Sequence, residues 1–209
     1  MGYIANMLPA FIEPAVPLLR SQPPTGPLWS HEVKFDGWRV QVHRDGGEAV
    51  LLSRHGIDIT ARFPHVARAA SKLPVASFVL DGELVAFNAQ GRPDFDALSC
   101  RGCNAYLCAF DILFAGHEDL RPLPLRVRRG QLFNVLRDAA SSQLTVPEAF
   151  SDATGLLLAV EAMGLEGIVS KRLDAPYRSG TRCGWIKVKT TAWHAIKEDR
   201  SRRFEKGRR

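Results

Sequence analysis

The stretch Tyr106–Phe114, YLCAFDILF, limits the fold more than any other part of the chain. It is an almost unbroken apolar run that holds a single charge, Asp111. A run this short and this apolar reads as a strand buried on both faces. Asp111 must therefore be paired or functional, because an unpaired charge in such a place is expensive.

Other segments supply candidate partners for that strand. His31–Val40, HEVKFDGWRV, alternates apolar and polar residues and reads as a strand ending in a tight turn at Asp36-Gly37. Val40–His43 continues it, Asp45-Gly46-Gly47 is a hairpin signal, and Glu48–Ser53 returns. Phe78–Asn88 reads as a strand interrupted at Asp81-Gly82. Leu165–Arg172 and Gly184–Thr190 read as two late strands. Helical spacing marks Phe63–Lys72 and Ala153–Met163, the latter stopped by Gly164. Phe95–Leu98 reads as a short helix. Leu120–Leu136 is a helix with Leu132, Phe133 and Leu136 as its apolar stripe, and with Arg126, Arg128 and Arg129 on a solvated face.

A chain of 209 residues with 45% hydrophobic and 24% charged residues suits a soluble domain with a real core. The net charge of +6 suggests a polyanionic partner. No apolar run approaches transmembrane length, and the leader lacks the basic start of a signal peptide. The expectation is a cytoplasmic protein with no membrane partner. Residues 1–30 hold Pro9, Pro14, Pro17, Pro23, Pro24 and Pro27, and read as an extended lead-in over the surface. From Thr190 onward seven Lys and Arg stand against three acids, a basic tail of net +4. Cys100 and Cys103 have the spacing of half a zinc site or a redox pair, but no second such pair exists, so incidental thiols are the plainer reading.

Several residues stand out chemically. Lys34 follows Glu32 and precedes Asp36 and Arg39, so it can be desolvated among charges, which favours the nucleophilic free amine. A hairpin with a solvated lysine has the same pattern. Arg54 closes the return strand in a loop ending at Gly56. Lys187 and Lys189 share one face of a strand, where they repel unless an anion lies between them. A solvated edge strand would also carry such lysines.

Taken in order, Lys34-x-Asp36-Gly37-x-Arg39, Arg54-x-Gly56, Asp81-Gly82-Glu83, Phe110-Asp111, Glu166-Gly167-Ile168-Val169 and Lys187-x-Lys189 resemble the motifs of the covalent nucleotidyltransferases. The wording of HEVKFDGWR, LEGIVSKR and GWIKVKT is most similar to bacterial ATP-dependent DNA ligases of the end-joining type. That resemblance covers about residues 11–190. It implies an α+β fold, the ATP-grasp-like nucleotidyltransferase domain, with two packed antiparallel sheets, flanking helices and the nucleotide in the cleft between them. It implies that Lys34 takes AMP from ATP and that sealing of nicked or broken double-stranded DNA follows. Glu32, Arg39, Arg54, Glu83, Phe110, Lys187 and Lys189 would contact the nucleotide, with the Phe110 ring on the adenine. Glu83 and Glu166 would hold Mg²⁺ or Mn²⁺. RNA ligases, capping-type nucleotidyltransferases and a non-catalytic nucleic-acid-binding remnant are the alternatives. The expected division is a lead-in over 1–30, the adenylation domain over 31–190 and a tail over 191–209. About twenty residues follow Lys189, too few for the OB-fold domain of such ligases, so an OB-domain partner or end-joining proteins are expected to assist.

Overall fold

The computed structural model describes residues 8–100, 102–137 and 143–193. Its strands are β1 (Leu18–Leu19), β2 (Trp29–Lys34), β3 (Trp38–Asp45), β4 (Val50–Ser53), β5 (Ser77–Ala86), β6 (Ala105–Ala115), β7 (Glu118–Asp119), β8 (Leu144–Thr145), β9 (Gly167–Arg172) and β10 (Trp185–Lys189). Its α-helices are α1 (Pro64–Ser71), α2 (Leu125–Leu136) and α3 (Ala153–Ala162). One sheet runs β1-β10-β9-β2, and the other runs β4-β3-β5-β6-β7 with β8 also paired to β6. The long strands are antiparallel, but β1 joins β10 and β8 joins β6 in parallel. The two packed antiparallel sheets are as expected, and both parallel exceptions are two-residue strands.

The period of two sorts each strand. On the larger sheet Val40, Val42, Phe78, Leu80, Leu84, Leu107 and Ile112 join α1 and α2 in one core. On the smaller sheet Ile168 and Val188 pack under Leu156 and Val160 of α3. Between the sheets Val79, Leu113 and Phe114 meet Ile12, Tyr177 and Trp185. The layers are thus helices, sheet, sheet, helix, and β6 is covered on both faces.

Three sequence readings change. Val40–His43 does not continue the first strand: β2 and β3 lie in different sheets, and Phe35–Gly37 carries the chain across. Gly37 is needed there for closeness rather than for a left-handed turn, since a Cβ would stand 2.2 Å from the Leu84 carbonyl oxygen. The strand holding Asp81-Gly82 is not interrupted, because β5 runs straight through and absorbs the irregularity as a shift of register against β6. The basic face of α2 is solvated only at Arg126, which is exposed. Arg128 is fully buried and binds both oxygens of Asp111 at 2.8 Å, and Arg129 binds Glu32. Phe133 instead points outward, at 59% exposed, because Val135 takes its place in the core. Most of the basic tail lies outside the described residues, but Trp193 is packed against Lys189, with Nζ 3.5 Å from the ring centre.

Candidate active site

The cleft between the sheets holds about 880 Å³ of open space. Glu32, Lys34, Arg39, Arg54, Glu83, Phe110 and Lys187 all line it. Glu166, just before β9, reaches Lys34 directly, and Lys189 of β10 meets the same carboxylate. Glu166 accepts from Lys34 Nζ at 2.9 Å and pairs with Lys189 at 3.1 Å. Register explains this convergence, because Lys34 stands opposite Gly167, and Gly167 opposite Lys189. Residues 132 positions apart are thereby placed side by side. Gly167 lets β10 come close, since a Cβ there would lie 2.0 Å from the Val188 carbonyl oxygen.

Charge governs the cleft. Burial lowers the Lys187 ammonium below the usual lysine range, and the neighbouring Lys34 and Lys189 lower it further. A bound anion would offset the repulsion among these lysines by favouring the charged form. Arg54 stands exposed at the end of β4 and adds to the same positive field. Glu83 lies on the facing sheet, where burial pushes its carboxyl up to about 7 despite Lys34 and Arg39. Glu166 contributes to that rise, so the two carboxylates feel each other across the cleft. Among the described residues no three His, Cys, Asp or Glu side chains form a closed metal cage. Glu83 lines the open cleft, and Glu166 lies beside it with its oxygens on Lys34 and Lys189; carboxylates so few suit Mg²⁺, which commonly takes one or two and completes its shell with water and substrate phosphate.

The other end of the cleft is aromatic. Phe110 and Trp185 meet edge-on with centroids 5.8 Å apart. Arg39 lies 4.5 Å from the Phe110 centroid and is held by both oxygens of Asp81 at 2.6 Å. Burial opposes the Arg39 charge, but Asp81 more than compensates. Glu32 is engaged by Lys171 at 2.6 Å as well as by Arg129. The Lys171 ammonium lies 4.4 Å from the Phe110 centroid and 4.5 Å from that of Trp185. Cys108 also lines the cleft, with its thiol pushed up to about 12 by burial, and so it stays neutral.

Sequence reasoning gave no site role to Lys171 or Trp185, and it placed Arg129 on a solvated helix face. The first two had a signal: Gly167, Val169 and Lys171 share parity on β9, as Trp185, Lys187 and Lys189 do on β10. Arg129 had none beyond its place on α2, because its partner Glu32 is 97 residues away.

Residues 24–189 match the family model described as ATP dependent DNA ligase domain. The chain is 38% identical over 188 residues to the multifunctional non-homologous end joining protein LigD of Pseudomonas aeruginosa, covering 87% of this chain and 22% of that protein. It superposes on the ligase domain of M. tuberculosis LigD with a TM-score of 0.70 and 31% identity, over 84% of this chain and 60% of that one. A mycobacterial DNA ligase D complexed with ATP and MES gives a TM-score of 0.67 at 32% identity, over 83% and 60%. The chain therefore spans less than a quarter of its LigD relative and about three fifths of the solved ligase domains.

Proposed function

The chain belongs to the ATP-dependent DNA ligase family, and from that premise we propose that it adenylates itself on Lys34 and passes AMP to DNA. The observation that carries this reading is the meeting of Lys34, Lys187, Lys189 and Glu166 at one end of a cleft whose other end is aromatic.

ATP would lie with its base near Phe110 and Trp185 and its phosphates toward the lysines. Phosphoryl transfer depends on positioning and charge neutralisation more than on covalent help. Lys34 Nζ attacks the α-phosphorus, the bond to the bridging oxygen breaks, and pyrophosphate leaves. The product is a lysine–AMP phosphoramidate. Lys34 must shed its proton on the way, and Glu166 Oε2, at 2.9 Å, is within reach of it. Lys187, Lys189 and Arg54 neutralise the phosphates. Mg²⁺ or Mn²⁺, held by Glu83 and Glu166, would add Lewis-acid stabilisation of the charge that develops on the phosphate oxygens. In the later steps a DNA 5′-phosphate takes AMP from Lys34, and a 3′-hydroxyl displaces AMP to close a nick in double-stranded DNA. Cytoplasmic placement and help from end-joining proteins belong to the same proposal.

The test is incubation with labelled ATP or GTP and Mg²⁺, followed by a denaturing gel. The reading expects label from ATP to stay on the protein and to be discharged by nicked DNA carrying a 5′-phosphate. Label from GTP alone would point to a capping-type enzyme, and no adduct from either would refute the proposal.

A further inference from the structure

The segment Ile12–Pro17 plays no part in the steps above, yet Pro14, Ala15, Val16 and Pro17 all line the cleft. Two prolines keep it out of a sheet interior. It runs along the edge instead: Ala15 bridges Gly180 in parallel, and the Val16 N–H donates to the Gly180 carbonyl at 2.9 Å. The sequence suggested a lead-in over the surface, but Pro14 and Ala15 are buried.

Polar side chains clamp this segment from outside it. Gln41 of β3 takes both backbone groups of Ile12, accepting from its N–H at 3.2 Å and donating to its carbonyl. The Tyr177 hydroxyl accepts the Ala15 N–H at 2.9 Å and donates to Asp81 Oδ2 at 2.6 Å. Asp81 also holds Arg39, which lies against Phe110. The Tyr177 ring meets Trp185 edge-on at 5.9 Å. One hydroxyl thus ties the segment to the aromatic end of the cleft through two hydrogen bonds.

We propose that Ile12–Pro17 is a fixed wall of the nucleotide site and that Tyr177 is the positioning residue that sets it against Phe110 and Trp185. The inference rests on reading the cleft as a nucleotide site. Tyr177 touches no reacting atom, so its effect should fall on nucleotide binding rather than on the transfer at Lys34.

Tyr177→Phe keeps the ring but leaves the buried Ala15 N–H without its acceptor, a costly state that a shift of the wall relieves. In single-turnover adduct formation, the ATP concentration for half-maximal rate should rise roughly tenfold, while the limiting rate stays within roughly threefold. Val16→Asp is the companion variant. Val16 is only partly buried, and a carboxylate there would repel a polyanionic nucleotide and raise the half-saturating ATP by roughly tenfold or more. Thermal melts establish that each variant is folded. A wild-type half-saturation in both folded variants, or a Tyr177→Phe effect confined to the limiting rate, would overturn this inference alone. A wild-type protein that forms no adduct would overturn the nucleotide reading and this inference with it.

Discussion

Asp111 and Arg128 are each fully buried and bind each other at two points. Breaking such a pair leaves an uncompensated charge, so Asp111→Ala should cost about 3–5 kcal/mol in denaturant unfolding. Asp111→Leu combined with Arg128→Met should recover most of that loss, and a single-mutant cost below about 1 kcal/mol would contradict the account. The need for a partner was legible from the apolar run around Asp111. Which arginine supplied it was not, because helical periodicity orders faces without saying which element packs above. His43 gives a second prediction at this scale. Burial pushes it down to about 4, against the opposing pull of Asp81 and the Pro9 backbone. An unfolded chain binds a proton near the ordinary value of 6.5, and the folded chain does so only near 4. Stability is therefore fully present above about 6.5 and falls as pH drops toward 4, by about 1–3 kcal/mol. His43→Gln should flatten that slope in unfolding measured at several pH values, and an equally steep slope would show that other groups cause it.

At the scale of elements, strand identity was largely legible, since alternation and turn signals located β2, β4, β5, β9 and β10, and an unbroken apolar run located β6. Sheet membership was not. An Asp-Gly pair looks like a turn in sequence, whereas here Asp36-Gly37 crosses between sheets and Asp81-Gly82 sits within a strand. The difference lies in what presses on the glycine, which only the packed neighbour reveals. Gly167 makes the point testable. Gly167→Ala should force β10 away from β9, cost about 1–3 kcal/mol of stability and slow adduct formation on the order of a hundredfold, because Lys34 and Lys189 lose their spacing. A folded variant with wild-type rate would show that this close approach is not required.

For the molecule as a whole, the order of the motifs suggested one cleft, and the structure gathers their residues there. The wiring that joins distant segments, such as Glu32 to Lys171 and Ala15 to Tyr177 to Asp81, was not legible, because it depends on the pairing of two sheets. The basic tail carries a prediction at this scale. Trp193 packs on Lys189, so a deletion should begin at residue 194. Removing 194–209 should flatten the salt dependence of DNA binding by about 0.9 for each phosphate that the tail neutralises, and leave adduct formation without DNA unchanged. An unaltered slope would place DNA binding elsewhere. The most direct test of the central claim is peptide mapping of the protein after incubation with ATP and Mg²⁺, with Lys34→Ala and Lys34→Arg alongside. AMP should be found on Lys34 alone and on neither variant, since arginine stays protonated and is a poor nucleophile. AMP on another residue, or an adduct that persists in either variant, would contradict the account.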